Sequence, residues 1–295
     1  MSRGNTIGDL LHRLVPKEAT KPSTRSEPYI YQHLPYFKHM KDREALFPPK
    51  PLFIETQPEI RADHRQILID WLSEVAVEYR LPENAVYLAV NYCDRFLSQS
   101  HVPRDKLQLV GVTALFIANK FVTADHRAVT DYSYICDNSF TVNQIIKTES
   151  AMVRALGFVL ASPTIFQFLM EYFSLSTLQL TKKAKILALY LCELSLQDYT
   201  CVSWKPSQIA YAAICLSRFI CGDSAWNASF IDVDGYDYNT VGDCIRRLKE
   251  IFETAKTHNL RAVREKFCTT EYRPFNVVTG IAESVPYLNC DALPC

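Results

Sequence analysis

Apolar residues in this chain recur at three- and four-residue intervals, the spacing of helices with one buried face. Tyr29, Ile30, Leu34 and Phe37 predict a first helix, which Pro48, Pro49 and Pro51 must end. From Ala62 to Tyr79, the residues Ile67, Leu68, Trp71, Leu72 and Val75 form one stripe. Pro82-Glu83-Asn84 reads as a helix start, with Leu88, Val90, Tyr92 and Phe96 apolar on the run to Leu97. Pro103 opens another helix, and from Leu107 to Asn119 there is no charge at all. A helix that is apolar on nearly every side belongs at the centre of a bundle. Weaker helices are predicted over 125–136 and 141–156, the second entered through Thr141 and stopped at Gly157.

The pattern then repeats. Leu88-Ala89-Val90-Asn91-Tyr92-Cys93-Asp94 aligns with Leu187-Ala188-Leu189-Tyr190-Leu191-Cys192-Glu193 at an offset of 99, and Gln108-Leu109 with Gln208-Ile209 at an offset of 100. Helices over 163–173, 181–198, 206–219 and 238–255 fill the second half. The expected fold is all-α: two tandem five-helix bundles preceded by an N-terminal helix. The expected divisions are a tail over 1–27, the N-terminal helix and connector over 28–55, bundles over 56–160 and 161–266, and a C-terminal tail over 267–295.

The chain's 295 residues suffice for two such cores. Its 32 Lys and Arg balance 32 Asp and Glu, which argues against nucleic acid as the main partner. The longest charge-free stretch, Ala155 to Met170, is short and broken by Gly157 and Pro163, so no membrane span is expected. Among eight glycines there is no G-x-G-x-x-G, G-x-x-x-x-G-K or G-x-S-x-G, and H-E-x-x-H is missing as well. Most nucleotide-dependent enzymes are thereby disfavoured, and neither cofactor nor metal is expected. Ten cysteines show no C-x-x-C, and Cys93, Cys192 and Cys215 sit in apolar helical patterns as small hydrophobes. With no apolar export signal after Met1, reduced thiols in the nucleus and cytoplasm are the expectation.

Three runs carry a family likeness. His64-Arg65-Gln66-Ile67-Leu68-Ile69-Asp70-Trp71-Leu72-Ser73-Glu74-Val75 resembles the signature of the cyclin box, as do Asn91-Tyr92-Cys93-Asp94-Arg95-Phe96-Leu97 and Lys106-Leu107-Gln108-Leu109-Val110-Gly111. The second half is similar to the C-terminal cyclin fold through Ala161-Ser162-Pro163-Thr164, Glu193-Leu194-Ser195-Leu196 and Arg264-Glu265-Lys266-Phe267. Within the family, the chain resembles the mitotic A/B group, and A-type members more closely over 85–97 and 161–198. The resemblance implies a regulatory subunit, not itself an enzyme, that binds and activates a cyclin-dependent Ser/Thr protein kinase in cell-cycle progression.

It also implies sites. Lys120 and Glu149 match the pair that grips the kinase's mobile helix, and Ile117, Phe121, Val153, Phe158 and Leu160 match the apolar pocket beside it. Tyr29, Ile30 and Phe37 would face the kinase or the first bundle; the competing reading is a helix that only covers apolar surface. His64, Ile67, Leu68, Trp71, Glu74, Leu107 and Gln108 match a groove that docks Arg-x-Leu-containing substrates or inhibitors. The same spacing is also what core packing produces. His64 stands where the family usually has Met and would weaken docking or make it pH-sensitive. Arg65, Asp70 and Asp94 read as residues of the fold. Val122 and Thr123 replace the two acids usual in the group. This departure keeps a second reading open, a cyclin-fold scaffold that does not activate its kinase. A DNA-binding cyclin fold lacks its basic face here, and no Cys–His spacing supports a thiol enzyme.

Overall fold

The computed structural model describes residues 29–175, 178–222, 236 and 238–269, with side chains throughout except at 29–34 and 238. Eleven helices are ordered α1 Tyr29–Glu44, α2 Ala62–Glu78, α3 Glu83–Leu97, α4 Leu107–Val122, α5 Val129–Tyr134, α6 Val142–Ala155, α7 Ile165–Ser174, α8 Lys182–Gln197, α9 Pro206–Ile220, α10 Tyr238–Thr254 and α11 Ala262–Phe267 among the described residues. None of them is long and apolar enough to cross a membrane.

The uncharged helix α4 is the axis of the first bundle, buried from Leu107 to Asn119 except at Gln108 and packed by α2, α3, α5 and α6. Its counterpart in the second bundle is α9, packed by α7, α8 and α10. The helix starts follow local chemistry. Thr141 accepts from the Gln144 amide while Gln144 Oε1 accepts from the Thr141 amide, and Thr164 and Gln167 repeat the arrangement. Gly157, at φ 63°, supplies the left-handed residue that stops α6.

The structure departs from the expected pattern in three places. The helix expected over 125–136 contracts to Val129–Tyr134, and Asp137 and Asn138 follow it in the left-handed region at φ 51° and 55°. Helix α11 has no counterpart in the expected helices, being only six residues long. Its Phe267, expected in the C-terminal tail, is buried against the Tyr190 ring. Phe37 does not face open solvent: it is 3% exposed and its ring meets those of Phe168 and Tyr172 of α7. Helix α1 therefore packs on α7 of the second bundle, with Phe37 and Met40 in a buried cluster that also holds residues of both bundles. The side chains of Tyr29 and Ile30 lie outside the described residues.

Polar groups stitch the bundles together. The Arg65 guanidinium donates two 2.7 Å bonds to Asp94 and a 3.0 Å bond to the Leu196 carbonyl across the seam. Asp70 accepts from Gln197 Nε2 at 2.7 Å and from the Ala262 amide at 3.0 Å. Lys266 of α11 lies 2.5 Å from Glu83 of α3 and 2.6 Å from Glu193 of α8.

Two carboxylates thus share one ammonium. Burial and the neighbouring Glu83 together outweigh the attraction of Lys266, so the Glu193 carboxyl is pushed up to about 7. Its folded value lies above the ordinary 4.5, so the folded chain holds this proton more tightly than the unfolded chain does. The stabilisation is complete below about pH 4.5 and is lost as pH rises towards 7. Glu193→Gln is expected to flatten the stability profile between those values, as read by urea unfolding at a series of pH values. A profile with the wild-type slope would overturn the assignment.

Candidate partner-binding surfaces

Lys120 closes α4, where the first charge follows thirteen uncharged residues, and its ammonium pairs with Glu149 of α6. It also sits 4.2 Å from the centre of the Phe116 ring, so the stem is packed while the head stays accessible. The two side chains are 32% and 20% exposed. Apolar groups flank the pair on α4, on α6 and on the loop that follows α6. Phe121 is 47% exposed, Val153 and Leu160 are half-buried, and Ile117 is buried in the core. Phe158 projects furthest, at 72% exposure, from a left-handed backbone at φ 60°.

A bulky residue in that region is strained by about 1–3 kcal/mol, and such strain persists only where neighbours hold it. Here α3 holds it. The Tyr92 hydroxyl donates to the Leu160 carbonyl at 2.8 Å, and Arg95 donates to the carbonyls of Val159 at 3.0 Å and Leu156 at 3.3 Å. Neither Tyr92 nor Arg95 is marked for this role by the helical signature that contains them. Ile146, 43% exposed, joins the surface unforeseen, sharing the α6 face with Glu149 and Val153 at spacings of three and seven. The available signal was a second isoleucine directly after Ile145, turned away from the buried face.

The second surface lies on α2. Ile67 is 56% exposed, Trp71 is half-buried, and Glu74 is exposed one turn further on. Leu68 and Leu107 are buried, and Gln108 is half-buried at the start of α4. The helices approach closely because Gly111 has no side chain: a Cβ there would lie 2.6 Å from Leu68 Cδ1. Gly111→Ala is expected to push Leu68 outward and to destabilise the chain by about 1–3 kcal/mol as overpacking. Chemical denaturation checks the stability change, and a loss below about 0.5 kcal/mol would show that Leu68 yields freely.

His64, at the start of α2, is as little exposed as Leu68 and Leu107. It is buried, its Nδ1 accepts from the Arg61 amide at 3.3 Å, and its Nε2 has no hydrogen-bond partner. The ring takes part in the α2 start through this bond.

Residues 35–161 match the Cyclin, N-terminal domain family and residues 163–279 the Cyclin, C-terminal domain family. The chain belongs to the cyclin family. It is 34% identical over 244 residues to the G2/mitotic-specific cyclin-A of Patella vulgata, covering 82% of this chain and 57% of that one. It is 37% identical over 230 residues to cyclin-A2 of Xenopus laevis, covering 78% and 55%. Against cyclin-A2 of Homo sapiens, it is 36% identical over 256 residues, covering 86% and 59%. The expected likeness to A-type cyclins is borne out, although the chain spans little more than half the length of these curated relatives. Among solved structures, a viral cyclin from herpesvirus saimiri superposes with a TM-score of 0.65 at 20% identity, covering 73% of this chain and 95% of that one. The yeast RNA Pol II CTD kinase CTDK-1 complex gives 0.57 at 10% identity, covering 92% and 94%. These likenesses bear out the all-α tandem cyclin-box fold.

Proposed function

We propose that this cyclin is a regulatory subunit that binds a cyclin-dependent Ser/Thr protein kinase and drives it to its active conformation in cell-cycle progression. The observation that carries the reading is the Lys120–Glu149 pair set among exposed Phe121, Phe158 and Ile146. An accessible ion pair ringed by apolar side chains has the make-up of a binding hot spot. The pair would grip the kinase's mobile helix, and the apolar ring would receive an aliphatic side chain from it. Stabilising the inward position of that helix completes the Lys–Glu ion pair that phosphoryl transfer requires.

The α2 groove is proposed to dock Arg-x-Leu segments of substrates or inhibitors, with Ile67 and Trp71 holding the leucine and Glu74 the arginine. We place the protein in the nucleus and cytoplasm, a setting supported by the eight described cysteines, which are all free thiols.

Half-buried Val122 and Thr123 beside Lys120, where the group usually carries acids, favour a second reading: a kinase-binding scaffold without activation. Mixing the chain with a monomeric cyclin-dependent kinase and measuring phosphate transfer to a proline-directed peptide separates the two. A rise of orders of magnitude supports the activator. Binding without a rise supports the scaffold, and no binding to any such kinase would sink both.

A further inference from the structure

The Phe158 ridge stands on two consecutive left-handed residues, Gly157 at φ 63° and Phe158 at φ 60°. Gly157 takes that conformation freely and Phe158 does not, so the ridge keeps its shape only while its surroundings hold it. Donors to main-chain carbonyls do the holding. Helix α3 serves Leu156, Val159 and Leu160 through Arg95 and Tyr92. A further donor comes from another part of the chain: Arg43 Nη2, in the last turn of α1, donates to the Ala161 carbonyl at 3.0 Å.

The end of α1 is itself fastened to the second bundle. Glu44, 5% exposed, accepts from the Ser207 amide at 3.0 Å and from the Ser207 hydroxyl at 2.6 Å. Ser207 is the second residue of α9, so the carboxylate also meets the positive end of that helix. Neighbouring residues of α1 thus engage different targets, Glu44 the start of α9 and Arg43 the loop between the bundles. Just past the helix, the centre of the Phe47 ring lies 5.6 Å from the Arg95 guanidinium, the same group that holds Leu156 and Val159. Helix α1 and the residues after it therefore reach the ridge at two points.

From these contacts we infer that Arg43 is a positioning residue for partner binding. Anchored beside Glu44, it clamps Ala161 and so holds Phe158 in the conformation that the kinase meets. Ala161 is three residues beyond Phe158, a reach of at most about 11 Å, so slack at the clamp is passed to the ridge. The effect on kinase binding rests on the function proposed above; the clamp itself does not.

The test uses the full chain as wild type, Arg43→Ala and Arg43→Lys, with two readouts. The first is amide hydrogen exchange in the free cyclin at Phe158, Val159 and Ser162, each of which donates within this loop or to the end of α6. Arg43→Ala should speed exchange there by about 3- to 10-fold while the α4 amides keep their rate, and Arg43→Lys, which retains a donor, should recover most of the protection. The second is kinase affinity by calorimetric titration. Arg43→Ala should weaken it by about 3- to 10-fold, and the loss should vanish when Phe158→Ala is already present, because nothing is left to position. Unchanged exchange in the loop, or a rise shared equally by α4, overturns the inference. So does a loss of affinity that persists undiminished beside Phe158→Ala, which would place Arg43 against the kinase itself. Faster exchange in the loop with no kinase binding by the wild-type chain upholds the clamp and sinks the proposed function instead.

Discussion

Lys120→Glu is expected to abolish kinase binding while leaving the cyclin folded. The substitution sets two carboxylates against each other where an accessible ion pair now stands. Removing one member of a charge pair that becomes buried on binding costs about 2–5 kcal/mol, or roughly 30- to several-thousand-fold in affinity. The fold should lose little, because a half-buried pair still open to water contributes only about 1 kcal/mol. Calorimetric titration against the kinase, with a melting curve of the free variant alongside, reads both effects. The charge-swapped Lys120→Glu/Glu149→Lys chain sharpens the result: it restores the internal pair and should still fail to bind. Affinity within threefold of wild type in the single variant would remove this pair from the interface.

Arg65→Ala should cost about 3–5 kcal/mol of stability, a larger loss than Gly111→Ala brings. The substitution leaves Asp94 buried without its cation and deprives the Leu196 carbonyl of its donor across the seam. Both charged side chains are nearly inaccessible, at 3% and 6% exposure, so water cannot replace the lost partner. Replacing both residues, as Arg65→Met with Asp94→Leu, should recover part of the loss, since an apolar pair leaves no stranded charge. Urea unfolding at neutral pH measures the series. A cost below about 1 kcal/mol for Arg65→Ala would show that the seam relaxes around the vacancy.

The main elements were legible because burial enforces periodicity. The uncharged run of α4 could only be a central helix, and the repeat announced the second bundle through positions that α3 and α8 both bury. Thr141 and Gly157 marked the ends of α6 through their own backbone chemistry. What stayed hidden depends on partners distant in sequence. Nothing near Phe37 indicates that Phe168 and Tyr172, over 130 residues away, will receive it. Nothing in the His64 signature indicates that its ring nitrogen will take the Arg61 amide. Tyr92 and Arg95 look like plain members of a helical signature, since their work is done on carbonyls, which carry no sequence identity. Helix α11 is too short for a periodic signal, although its ends are tied to Asp70 and to two glutamates.

One stretch of α3 points in two directions at once. Asp94 turns towards Arg65 and the seam between the bundles, whereas Tyr92 and Arg95 on either side turn to the loop that carries Phe158. A single rigid turn of helix therefore acts as a rocker between the interior joint and the outward ridge. Loosening the joint, as in Arg65→Ala, is therefore expected to weaken a partner seated on the ridge. The second bundle, though it presents none of the ridge itself, thereby acquires a say in how firmly the first one grips.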